Sequence, residues 1–161
     1  FDKIILVNGH GGNTSFLEYF CQTQLEGARD YAVFLFTPVG DRETDRKIAE
    51  LRKSAIGGHA DEEETAVMRV IRPDLVHMDR VALETGRDQA RLPLPGAYTG
   101  IWWYARYPNH YAGDATGSDP EIGRLSLESS VAQLQKVIAM LKADTATLEL
   151  QNRFFQQAGE H

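Results

Sequence analysis

Ile4-Ile5-Leu6-Val7-Asn8-Gly9-His10-Gly11-Gly12-Asn13 begins as a short β-branched apolar run and ends in a glycine-rich turn. An apolar run without alternation reads as a strand covered on both faces, the habit of parallel sheets. The residues after it read as a helix. Ser15 and Glu18 have the spacing of a capping box, with Asn13 as the other possible start, and Leu17, Phe20, Cys21 and Leu25 share one stripe before Gly27. Tyr31 to Thr37 is a second buried strand, stopped by Pro38. Strand, helix and strand within about 35 residues make a βαβ unit, hence a right-handed parallel crossover.

Further along, residues 41–54 are highly charged with sparse apolar positions, which predicts a solvated helix or a mobile flap. A third helix is expected from about Asp61 to Arg72, ending before Pro73. Leu75-Val76-His77-Met78 reads as a short strand. Residues 84–124 carry Pro93, Pro95, Pro108 and Pro120 among many glycines, and predict a long, shaped, aromatic loop region. A final amphipathic helix is expected over about 126–142, with Leu127, Val131, Leu134, Ile138 and Leu141 on one face. There is no internal repeat and no low-complexity linker, so residues 1–161 read as a single α/β domain.

Composition bounds the function. A chain of 161 residues, 42% hydrophobic and 25% charged, can bury a sizeable core. Its net charge of -6 and lack of a basic stripe argue against nucleic acid and anionic membrane as partners. No apolar run approaches the roughly 18 residues of a membrane span, and no signal peptide is visible. The single Cys21 excludes an internal disulfide framework and a cysteine-rich zinc knuckle, and fits the cytoplasm. Phe1 enters directly into an apolar strand, which reads as a piece of a longer polypeptide.

Three clusters carry possible chemistry. His10 lies just beyond the carboxyl end of a buried strand, where open α/β sheets collect ligands. Gly9, Gly11 and Gly12 leave its imidazole unshielded. An incidental histidine in a turn is one alternative, and a phosphate loop is another. The turn fails G-x-G-x-x-G because Thr14 holds the third glycine position, and no Walker lysine follows. The second cluster is His59-Ala60-Asp61-Glu62-Glu63-Glu64-Thr65. Four acids at a helix start suit the macrodipole as a solvated N-terminus. Helical periodicity puts Glu64 on the stripe of Val67, Met68 and Ile71, with Glu62 and Glu63 off it. A carboxylate on an apolar face must be paired, protonated or metal-bound. His59 precedes that helix, where it could hydrogen-bond a substrate or shuttle a proton. The third cluster runs from Gly100-Ile101-Trp102-Trp103-Tyr104 to Tyr107-Pro108-Asn109-His110-Tyr111-Ala112-Gly113-Asp114. Aromatic loops with embedded His and Asp wall pockets or subunit interfaces as well as filling cores. His77 and His161 are read as non-ligands.

Asn8-Gly9-His10-Gly11-Gly12-Asn13 and Gly58-His59-Ala60-Asp61-Glu62-Glu63-Glu64-Thr65 resemble the NGHGGN and HAGExET motifs of the creatininase (creatinine amidohydrolase) family. Gly113-Asp114 with Glu121-x-Gly123 resembles a further Gly-Asp…Glu-x-Gly segment of that family. Asp61 stands where the family motif has glycine, and Gly12 where creatininase itself has a ligating glutamate. The family's N-terminal E-x-H-G-x-H motif and its following Asp have no match in the chain.

The resemblance implies a three-layer α/β/α sandwich with a mostly parallel sheet, its N-terminal part missing. It implies a metal-dependent amidohydrolase acting on a C–N amide bond of a cyclic amide, a formamide or a small peptide. Two divalent ions, Zn, Mn or Fe, would activate a hydroxide. His10 and Glu64 are the implied metal ligands and His59 the implied proton-transfer group. Gly11, Gly12, Trp102, Trp103 and His110 are the implied substrate contacts. The implied enzyme is a cytoplasmic homo-oligomer, and this stretch by itself is expected to be inactive. Two alternatives stand beside it: a non-catalytic α/β interaction module, and a nucleotide or sugar-phosphate binding domain using the Gly9–Asn13 turn.

Overall fold

The computed structural model describes residues 1–159, so His161 lies outside the described residues. The chain falls into two compact units, Phe1–Val39 with the chain from Ser130 onward, and Gly40–Ser129.

In the first unit, β1 (Lys3–Val7) and β2 (Ala32–Phe36) pair in parallel, Ile4 beside Val33 and Leu6 beside Leu35. Backbone bonds from Ala32 N to Asp2 O and from Asn8 N to Phe36 O, each 2.8 Å, extend the ladder at both ends. The crossover between the strands contains α1 (Thr14–Thr23). The α/β class with a parallel sheet is therefore the one the sequence predicts. Helix α5 (Pro120–Ala143) ends in this unit and α6 (Ala146–Ala158) follows it. Both α1 and α6 pack against β2. Lys3 Nζ donates to the carbonyls of Leu141, at 2.8 Å, and Asp144, so β1 is fastened to the end of α5.

Three details depart from expectation here. Of the two helix starts read from the sequence, Asn13 is the N-cap of α1, and the Ser15 capping box does not form because the 3-10 turn (Gly11–Asn13) runs straight into α1 and leaves Ser15 inside the first helical turn. The strands are not equally covered: Ala32 and Phe36 are buried, whereas Ile4 and Val7 of β1 are exposed. In a sheet of two strands each has one neighbour, and β1 keeps an open edge among the described residues. In α5, Leu141 is buried and Leu134 and Ile138 half-buried, but Val131 is exposed. Helix α6 has no counterpart in the expectation.

The second unit is built on α2 (Arg42–Leu51), α3 (Glu62–Ile71), the one-turn α4 (Trp102–Arg106) and the first turns of α5. Its core is Ile48 from α2, Ala66 from α3 and Ile122 from α5, with Leu51 and Leu125 packed around them. Residues 42–51 thus form a docked helix rather than a flap. Asp41 caps it, accepting the amides of Glu43 and Thr44 at 3.2 Å and the Ser129 hydroxyl at 2.8 Å. Leu75 to Met78 is not a strand. It lies where two 3-10 segments, Pro73–Leu75 and Met78–Leu83, meet, and among the described residues no neighbouring strand supplies a ladder. The region 84–124 is not loop throughout, since it contains α4 and the start of α5. Pro120 opens α5, where its missing N–H and fixed φ fit a first helical turn.

Candidate catalytic site

The first motif is organised by Asn8, only 4% exposed. Its Nδ2 donates to the hydroxyls of Thr14, at 3.2 Å, and Thr37, at 3.4 Å, while its Oδ1 accepts the His10 amide at 3.1 Å. His10 has extended backbone and caps the Gly11–Asn13 turn, its Nδ1 accepting the Gly12 N–H at 3.2 Å. A Cβ on Gly12 would meet the His10 ring at 2.9 Å, so the glycine is the seat of the imidazole. A neutral ring that accepts at Nδ1 carries its proton on Nε2. The same bond occupies the Gly12 amide, one of the donors a phosphate loop would need. Gly11 is exposed beside it.

The second motif is held more tightly. His59 and Ala112 form an isolated antiparallel bridge, with His59 N to Ala112 O at 2.7 Å and Ala112 N to His59 O at 3.0 Å. Ala60 takes the left-handed conformation, φ 53°. For alanine this costs on the order of 1 kcal/mol. The strain is offset by fixed partners: Ala60 N donates to Glu64 Oε2 at 2.8 Å, and Thr65 Oγ1 donates to Ala60 O at 3.0 Å. The turn aims the His59 ring at Glu64, with Nδ1 3.4 Å from Oε2. The Trp103 ring meets His59 edge-on, centroids 6.0 Å apart at 87°. The imidazole thus lies between a carboxylate and the edge of an indole.

His59 and Glu64 line a cavity of about 560 Å³, together with Met68, Val81, His110 and Tyr111 among others. His110 reaches it from a left-handed turn, φ 65°, its ring edge-on to Tyr104 at 4.8 Å. His77, set aside in the sequence, also lines this cavity. Trp102 is edge-on to Trp103 at 5.4 Å but lies away from this cavity. It lines a second cavity of about 720 Å³ with Tyr98, Leu92 and Arg106, and Arg106 lies over its ring at 5.9 Å and pairs with Asp88.

The carboxylates divide differently from the periodic reading. Glu64 is 51% exposed at its side chain, and Met68 and Ile71 are exposed too. The buried face of α3 is instead Glu62 and Ala66, both at 0% exposure. Its phase is set by close packing on α5, since a Cβ on Gly123 would run into the Ala66 carbonyl. Glu62 is satisfied there by backbone: Lys53 N donates to both its oxygens, at 2.9 and 3.1 Å, and Ser54 N to Oε2 at 2.7 Å. Asp61 caps α3. Asp114, from the third matching segment, is held below its ordinary carboxylate range by the side chain and amide of Thr116.

As a metal centre these residues fall short. Among the described residues no three His, Cys, Asp or Glu side chains converge on one metal position. Glu62 and Asp61 spend their oxygens on backbone amides, and Nδ1 of His10 is engaged with Gly12. The present donor set does not fit a two-metal site.

Residues 1–138 match the family described as creatininase, creatinine amidohydrolase. The chain belongs to the creatininase family. Solved structures agree on the fold. A mutant creatininase complexed with creatine superposes with a TM-score of 0.62 at 22% identity, over 87% of this chain and 57% of that one. A Mn creatininase gives 0.59 at 24% identity, over 87% and 56%. The chain thus spans a little over half the length of these creatininases. No curated protein matches it. No helix among the described residues is long and apolar enough to cross a membrane.

Proposed function

We propose that this creatininase-family chain forms part of an amidohydrolase that cleaves the C–N bond of a small amide: a cyclic amide, a formamide or a small peptide. The observation that carries the reading is the His59–Glu64 pair, held by backbone on both sides and open to a largely apolar cavity. A carboxylate facing Nδ1 holds the imidazole in the tautomer whose Nε2 can take a proton. His59 Nε2 then serves as base towards the attacking water and afterwards returns that proton to the leaving nitrogen. Trp103 fixes the ring plane and excludes water from one side. His110, on the same cavity, is a proposed substrate contact; Gly11, Gly12 and Trp102 are proposed as contacts on the family resemblance alone.

The metal part of the proposal, two Zn, Mn or Fe ions with His10 and Glu64 as ligands, rests on the family alone. It needs ligands beyond those converging here. The reading extends to residues 1–161 acting as one creatininase-like domain in a cytoplasmic homo-oligomer, supported by the lone Cys21 and the exposed aromatics Phe16 and Tyr19 of α1.

The test is amide hydrolysis and metal content of the intact protein and its variants, over a panel of those three substrate kinds. His59→Ala is expected to lower kcat by about 10²–10⁴, and His10→Ala and Glu64→Ala to lower bound metal. Unchanged activity in His59→Ala would end the catalytic reading, and unchanged metal content in the other two the ligand assignment.

A further inference from the structure

Asp61 stands where the family motif has glycine, and its two oxygens grip the chain on both sides of the His59–Glu64 pair. On the helix side, Oδ1 accepts the amides of Glu63, at 3.1 Å, and Glu64, at 3.0 Å. On the loop side, Oδ2 accepts the amide of Gly58, the residue before His59, at 3.1 Å. Asp61 is 7% exposed, and its Cβ fits only because Gly113 (φ 129°) has no side chain: a Cβ there would lie 2.9 Å away. Arg52 Nη2 lies 3.9 Å from Oδ2. Its Nε and Nη2 are buried without a hydrogen-bond partner among the described residues, so Asp61 is the acid that faces them.

We propose that Asp61 is a positioning residue: one carboxylate clamps the loop that carries His59 to the helix turn that carries Glu64, and so sets their separation. The inference rests on the His59–Glu64 reading above. With glycine at this position both grips vanish, and the turn keeps the Ala60–Glu64 and Thr65–Ala60 bonds and the His59–Ala112 bridge. The second oxygen is what distinguishes the clamp from a helix cap, for which a single oxygen suffices.

The experiment is NMR on the 161-residue chain, reading amide hydrogen exchange and the ring-nitrogen shifts of His59. Asp61→Asn keeps one oxygen, so whichever way its amide turns one side is released. The expected result is an exchange rate about tenfold higher at Gly58 or at Glu64, a loss of one hydrogen bond's worth of protection. It is accompanied by a shift of His59 from its Nδ1–H tautomer towards a mixture. Asp61→Ser, which retains a single oxygen, reports the same if the asparagine variant folds poorly. A tautomer left at its wild-type value in both variants, or exchange raised evenly along the chain, would overturn the clamp. Glu64→Gln separates the two ideas: if it too leaves the tautomer unchanged, the pair itself is wrong and the clamp falls with it. If it shifts the tautomer while the Asp61 variants do not, only the clamp is lost.

Discussion

The two histidine-bearing turns are built by opposite means. The His10 turn hangs on one buried amide, Asn8, surrounded by glycines, and its imidazole folds back on its own backbone. The His59 turn is fixed by Asp61, Glu62 and Glu64, all bonded to backbone amides, and by a β-bridge. The first turn thus rests on a neutral side-chain amide, where the second rests on carboxylates. The second, with several anchors, holds its ring and stores strain at Ala60.

The contrast can be broken by removing anchors. Glu62→Ala leaves the Lys53 and Ser54 amides without their acceptor, and should cost about 3 kcal/mol or more in urea unfolding. Asn8→Ala releases a single anchor, with an expected cost of about 1–2 kcal/mol, its amide-shift changes confined to residues near 8–14 and Thr37. Equal costs for the two would erase the distinction between the turns. Glu64→Gln is expected to move stability by less than about 0.5 kcal/mol, because the side chain is half-exposed, while still perturbing His59. The smallest effect concerns pH. Asp41 is lowered from 3.8 to about 2, first by the Thr44 side chain and then by Ser129. Its folded form binds its proton less readily than the unfolded chain, so its contribution is complete above pH 3.8 and lost as pH falls towards about 2. Asp41→Asn should therefore flatten the acid limb of a stability profile in that window and leave its neutral part shaped as before.

What could be read in the sequence follows from which signals carry hydrophobic contrast. The βαβ start is written in two β-branched runs and a glycine turn, and it is present. His59 and Glu64 are distinguished by residue type, and they meet at 3.4 Å. The buried face of α3 was hidden because Ala66 and Gly123 are small: they let two helices approach closely but add nothing to an apolar stripe. Val67, Met68 and Ile71 outweigh them in any periodic count. The acceptor role of Glu62 depends on amides nine residues earlier, a tertiary fact without a local pattern. A small residue on α3 opposite a glycine on a later helix was the available hint.

Asn8 and Gly9 have a consequence on a much slower clock. An asparagine followed by glycine is the dipeptide most open to spontaneous deamidation, since the unhindered glycine nitrogen can attack the side-chain carbonyl. In the fold, that carbonyl accepts the His10 amide and its amide nitrogen is bonded to two threonines, which withholds the geometry the attack requires. Each visit to an unfolded state exposes the pair. Once converted, the site would carry a buried negative charge and lose both donations to the Thr14 and Thr37 hydroxyls, so refolding to the native turn becomes harder. Chemical ageing of this protein should start at the turn that presents His10, and its pace should follow the fraction of time spent unfolded.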